Sequence, residues 1–326
     1  MPKTFQMSKL VKALLFLAGC HYAGLGFVST ELADLRMAQI SSHSRFTDRI
    51  VRRSTATPVT PKAGYEKAIA LGAGKAALTA RQILILGIAS GCHIGFGALL
   101  AIAGGGSVPG MATSNPGAQR ILMGAFGLPM GLFMTLLGGG ELATGNFAVV
   151  TAARLEGKAT TKQLLKSWGL AYAGNFIGSL LLAALAFAAA VLPGAAASAP
   201  IAIATKKVSL TFVQALCKGI LCNWLVCMAV WCATNAQDVA GKALAVFLPI
   251  TGFVALGLEH SVANMFIIAY GMACGASITL SQFFLRNLLP VTIGNIIGGA
   301  LAVATTYWAA FGEKKSKNAQ TEFGLS

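Results

Sequence analysis

From Arg81 onward the chain is a succession of long apolar runs separated by short polar interruptions. Runs of roughly 20 apolar residues are long enough to cross the hydrocarbon core of a bilayer. The pattern predicts spans at about 82–104, 121–154, 164–192, 208–233, 243–276 and 284–311. The second and fifth exceed one simple helix and contain polar breaks. Alternation of the strand type is absent, so the expected class is an all-α integral membrane protein with six transmembrane helices.

Only two acidic residues fall inside these runs, Glu141 and Glu259. An ionisable group at membrane depth is expensive and marks a functional site by default. The two share a setting. Glu141-Leu-Ala-Thr-Gly-Asn146 and Glu259-His-Ser-Val-Ala-Asn264 both read Glu, four residues, Asn. A second matched pair follows, Gly174-Asn175-Phe-Ile-Gly178 and Gly294-Asn295-Ile-Ile-Gly298. The chain therefore reads as two copies of a three-span unit. An odd number of spans forces the copies into opposite orientations, an inverted three-plus-three repeat with two broken helices. Gly138-Gly139-Gly140 and Gly257 stand at the breaks, where the backbone must leave helical geometry. Half-helix N-termini there would offer a positive dipole end to an anion.

Composition agrees with the membrane class: 56% hydrophobic and 11% charged residues, against about 25% charged in soluble domains. The 38 glycines suit close helix approach in lipid. The net charge of +15 sits mainly in the N-terminal stretch, the loops and the tail, which points to topology and lipid head groups rather than nucleic acid. The loop with Arg154, Lys158 and Lys162 and the tail with Lys314, Lys315 and Lys317 mark the cytoplasmic or equivalent side. Lys206 and Lys207 fall on the other side, against the rule.

The chain divides into a segment 1–79, a transmembrane domain 80–312 and a flexible tail 313–326. Lysines at 3, 9 and 12 precede a short apolar run, and 41–61 is rich in Ser, Thr and Arg. Together these resemble targeting signals for a plastid or other organelle. An untargeted, disordered cytoplasmic tail in a plasma-membrane protein is the other reading. Cys217, Cys222, Cys227 and Cys232 recur every fifth residue, so successive ones lie about 140° apart around a helix and share no face. No metal site, cofactor or disulfide ladder is expected from them. His93, on a span that lines or neighbours the pore, is read as a residue of helix packing or interface bonding ahead of a direct role, and Gly104-Gly-Gly106 lacks the context of a phosphate loop.

At Gly257-Leu-Glu-His-Ser-Val-Ala-Asn-Met-Phe266, Leu142-Ala-Thr-Gly-Asn146 and Asn287-Leu-Leu-Pro-Val-Thr-Ile-Gly-Asn-Ile-Ile-Gly298 the chain resembles the formate/nitrite transporter family. The resemblance implies an aquaporin-like fold and a homopentamer with one pore per subunit. It implies passage of a small monocarboxylate or nitrite-like anion (formate, nitrite, lactate, hydrosulfide), often with protons. His260 matches the central pore histidine, expected to protonate the solute directly or through water, and Thr144 the threonine facing it. Asn223 and Asn295 match asparagines around them, while Asn146 and Asn264 would supply hydrogen bonds. Lys207 matches a vestibule lysine and Lys75 a second one, both expected to attract anions. Leu142 and Ala143 fall at the constriction, where Ala143 replaces a usual bulky Phe. Glu141 and Glu259 would line the pore and proton relay or brace it from behind. A neutral-solute channel is the competing function, although the paired Asn-Pro-Ala loops of aquaporins are absent. A membrane enzyme would need a metal cluster or a nucleophile–base set, which the sequence does not display.

Overall fold

A computed structural model describes residues 59–313, and every regular element in it is helical. The order is α1 Pro61–Ala77, α2 Ala80–Ala101, α3 Pro116–Ala125, α4 Leu128–Leu137, α5 Ala143–Leu155, α6 Thr161–Ala188, α7 Ser198–Val208, α8 Phe212–Asn235, α9 Val239–Ala255, α10 Ser261–Ala273 and α11 Gln282–Phe311. Within α11, π-helical stretches Gln282–Leu288 and Ile297–Thr305 flank a regular α-helical stretch, Leu289–Ile296. Among the described residues five helices are long and apolar enough to cross a membrane: Ala80–Gly106, Pro116–Leu137, α6, α8 and α11. The fifth span of the sequence reading is divided between α9 and α10, each too short to cross alone. The first broken span is likewise divided, with α5 following α3 and α4.

The repeat is visible in the start signals. Thr79 with Gln82 and Thr211 with Gln214 form capping boxes at the heads of α2 and α8. Thr160 with Gln163 does the same at α6, and Thr279 bonds Gln282 at the head of α11. Contacts repeat too. Helix α2 packs on α6 as α8 packs on α11, and α1 lies on α5 as α7 lies on α10.

The repeating unit is therefore longer than three spans, because each copy begins with a further helix, α1 or α7. Helix α1 lies within the 1–79 stretch read as leader or tail, yet Tyr65, Ala68, Gly72 and Ala76 are buried. Small residues put it close to α5, while Lys62, Glu66, Lys67 and Lys75 hide its apolar face from a hydropathy reading. The Tyr65 hydroxyl donates to Glu156 Oε1 at 2.5 Å, fixing α1 to the end of α5. The targeting motifs before residue 59 lie outside the described residues.

Candidate functional site

Both breaks are built alike. Gly139 and Gly257 turn the chain with φ of 72° and 68°, a region that favours glycine. The chain then passes a buried glutamate and enters a half-helix. The Glu141 N–H donates to the Leu86 carbonyl at 3.2 Å, and the Glu259 N–H to the Lys218 carbonyl at 3.4 Å. A buried asparagine holds each half-helix start. Asn175 Oδ1 accepts from the Ala143 N–H at 2.9 Å, while its Nδ2 donates to the Gly87 and Glu141 carbonyls. Asn295 Oδ1 accepts from the Ser261 N–H at 2.9 Å, while its Nδ2 donates to the Gly219 and Glu259 carbonyls.

The glutamates brace the breaks from behind. Lys75 Nζ meets Glu141 Oε1 at 2.6 Å, and Asn146 Nδ2 donates to the other oxygen at 2.8 Å. Lys207 Nζ meets Glu259 Oε1 at 3.1 Å, and Asn264 Nδ2 donates to Oε2 at 2.6 Å. Asn287 adds a bond to Glu259 Oε2 at 3.2 Å. Isolated charges would not survive at this depth, and pairing with further hydrogen bonds makes burial tolerable. Thus Glu141, Asn146, Glu259, Asn264, Asn175 and Asn295 form two matched scaffolds. Lys75 and Lys207 are held by carboxylates rather than standing free.

The half-helix starts meet at one point. Thr144 Oγ1, in the first turn of α5, lies 2.9 Å from His260 Nε2, the cap residue of α10. His260 Nδ1 accepts from the Ala263 N–H at 3.0 Å. A nitrogen that accepts a hydrogen bond carries no proton, so the proton belongs on Nε2 and is donated to Thr144. The imidazole is neutral in this arrangement, and imidazolium would require breaking the Ala263 bond. Asn223 Nδ2 donates to the Thr144 carbonyl at 3.0 Å and to the Asn295 carbonyl at 2.6 Å, tying the two breaks together.

Two cavities adjoin this point. The wider, about 220 Å³, reaches His260 from the face that carries Lys206 and Lys207. Its wall includes Gln119, Arg120, Lys206, Lys207, Lys218 and Glu259. The narrower, about 10 Å³, is walled by Ile94, Leu128, Leu132, Leu142, Val226, Ile250, Phe253 and His260. That is room for no more than about one water. Leu128, Phe253 and His260 belong to both walls, so the vestibule narrows directly into this neck. Phe253 stacks on His260, with centroids 5.9 Å apart and planes at 26°.

The expected constriction residues separate here. Leu142 lines the neck. Ala143 instead sits in a cluster with Ile83, Phe147 and Ala171, and the neck is closed by Leu142, Phe253 and the aliphatic ring around them. His93 lines neither cavity, and its Nδ1 is buried without a hydrogen-bond partner. Phe253, Arg120 and Lys218 escaped the sequence reading. Phe253 is one apolar residue among many in its run, and Arg120 and Lys218 lie near span ends where basic residues are commonplace.

Comparison with known proteins places this geometry. The formate/nitrite transporter family profile matches residues 62–309. A probable formate transporter of Methanothermobacter thermautotrophicus is 38% identical, covering 71% of this chain and 89% of its own length. A formate channel of Bacillus thuringiensis is 34% identical, covering 78% and 97%. A solved pentameric formate channel with formate bound superposes with a TM-score of 0.60 at 28% identity, covering 72% and 98%. An ion channel of the same family superposes with a TM-score of 0.68 at 29% identity, covering 76% and 98%.

Proposed function

The chain belongs to the formate/nitrite transporter family, and from that membership we propose that it is a channel for formate and anions of similar size, assembled as a pentamer. Nitrite and lactate are the other candidate solutes. The observation that carries this reading is the meeting of two half-helix N-termini at the Thr144–His260 bond, below a vestibule walled by Arg120, Lys206, Lys207 and Lys218. A neutral-solute pore has no use for that charge.

Positive charge in a cleft raises the local anion concentration and the capture rate. Beyond it the neck is apolar, and a bare anion entering loses hydration at high cost. Two helix dipoles lower that cost, as does the Nε2–H of His260 once the solute takes the place of the Thr144 hydroxyl. A solute crossing as its neutral acid avoids most of the remainder. Its proton comes from hydronium in the vestibule water, because His260 holds a single proton while Ala263 occupies Nδ1. His260 therefore serves as a hydrogen-bond donor, and not as the relay that a pore histidine first suggests.

The test is uptake of labelled formate into vesicles containing the purified chain, with and without an inward proton gradient. Saturable uptake stimulated by the gradient, with no glycerol uptake, is expected; glycerol passage without formate passage would overturn the reading. His260→Asn cannot titrate, and its shorter side chain does not reach the position of the Nε2–H donor. Formate flux should fall about tenfold, the worth of one hydrogen bond, with gradient stimulation retained. A variant that conducts but ignores the gradient would assign the relay to His260.

Phe253 sets the width of the neck. In Phe253→Leu the rate ratio of lactate to formate should rise, because a shorter side chain leaves space beside His260. An unchanged ratio would move selectivity elsewhere in the pore.

A further inference from the structure

The positive charge around the vestibule is more than the fold requires, and the repeat supplies the comparison that shows it. The spacing that relates Lys75 to Lys207, Thr79 to Thr211 and Gly87 to Gly219 also relates Gly74 to Lys206 and Leu86 to Lys218. Arg120, inside α3, is the third cation on the cavity wall. Lysine at 75 and 207 clamps a carboxylate in both halves, so it belongs to the architecture. Lys206 and Lys218 have glycine and leucine at the matching positions. Helices of the same fold form without them.

All three cations reach one cavity. Glu259 is the one carboxylate on its wall, and its oxygens are already bound by Lys207, Asn264 and Asn287. Lys218 Nζ donates to the Gly257 carbonyl at 3.1 Å, which leaves its charge uncompensated. Among the described residues Arg120 and Lys206 form no ion pair. A single monovalent anion would neutralise one charge of three. An oxyanion with two or more charges and several acceptor oxygens matches three cations on one cavity wall, the guanidinium by a paired contact. The vestibule, at about 220 Å³, accommodates such an ion, whereas the neck of about 10 Å³ does not.

We propose that Arg120, Lys206 and Lys218 form a binding site for a small multiply charged oxyanion, of the phosphate or dicarboxylate class, that plugs the channel from this face alone. The proposal rests on the anion-channel reading above and adds a ligand that binds without crossing. The halves thus differ in purpose as well as sequence, since Gly74 and Leu86 stand in the first half where Lys206 and Lys218 stand in the second.

The experiment uses the full chain in vesicles, with insertion direction sorted by protease access to a terminal tail. Labelled formate flux is measured while inorganic phosphate or malonate is added to one face, with ionic strength held constant by chloride. Block is expected from the vestibule face only, and the relative potency of phosphate and malonate distinguishes the two classes. In Arg120→Gln/Lys206→Gln the half-blocking concentration should rise at least about tenfold, measured against the variant's own unblocked flux. Equal block from both faces, no block, or block unchanged in the variant would overturn the site. Absence of formate flux in the unblocked wild type would instead sink the channel reading. Calorimetric titration of phosphate into the detergent-solubilised protein needs no flux and covers a poorly inserting variant. Binding to the wild type is expected, and no heat of binding overturns the site.

Discussion

Gly178→Ala should yield no correctly folded protein. Gly178 in α6 lies against the Ile88 carbonyl of α2, and a Cβ there would fall inside the oxygen's van der Waals surface. Gly91 in α2 meets the Asn175 carbonyl in the same way, so the two helices touch through two reciprocal glycines. Backbone cannot rotate aside as a side chain can, and the helices would have to part. Parting them also breaks the Asn175 bonds to Gly87 and Glu141 that seat the first break. The cost should reach or exceed the top of the about 1–3 kcal/mol range for overpacked cores. Gly169→Ala is the control on the same helix, because nothing lies within 4 Å of its added Cβ. That change should gain a few tenths to about 1 kcal/mol from helix propensity. The repeat extends the prediction to Gly298→Ala, whose Cβ would strike the Ile220 carbonyl. Size-exclusion profiles and thermal aggregation midpoints after detergent extraction provide the measurement. A Gly178→Ala profile matching wild type would refute this account of α2–α6 contact.

Glu259→Ala should cost about 3–5 kcal/mol, the range for breaking one side of a buried ion pair. Its carboxylate serves Lys207, Asn264 and Asn287 together, and the lysine side chain is only 14% exposed. Truncation leaves a largely buried cation without its carboxylate and takes one acceptor from each of two amide groups, which keep only their bonds to Asn287 Oδ1 and the Lys207 carbonyl. Glu259→Gln retains one acceptor oxygen and should lose less. Lys207→Gln/Glu259→Gln removes both charges and should recover part of that loss, since buried pairs often break even against neutral partners. Thermal aggregation midpoints of the three variants test the order. If Lys207→Gln/Glu259→Gln proves less stable than Glu259→Gln alone, the pair contributes more than compensation for buried charge. Glu141→Ala should behave like Glu259→Ala, because Lys75 and Asn146 stand in the same relation to it.

Much of this architecture could be read along the chain. The cost of burying charge in lipid singled out Glu141 and Glu259, and their shared spacing to Asn146 and Asn264 exposed the repeat. The breaks fell where glycine precedes each glutamate, since few other residues turn the chain with positive φ. Membrane class followed from hydropathy. These are local properties, carried by residues within a few positions of one another.

Which polar side chains face the pore was decided only by the tertiary structure. Lys75 and Glu141, or Asn175 and Gly87, are far apart in sequence and meet because helices pack. Asn146 and Asn264, expected to serve a solute, spend their donors on the glutamates and on Ser167 and Asn287. Helix α1 reads as a polar tail because its burial depends on α5, and hydropathy along one helix contains no information about its neighbour. The neck and vestibule are assembled from side chains of several helices. The sequence by itself determined a membrane protein of two inverted halves with polar breaks. Folding determined that His260, with one nitrogen bound by Ala263, meets Thr144 as a donor, because that proton assignment depends on the geometry of the break.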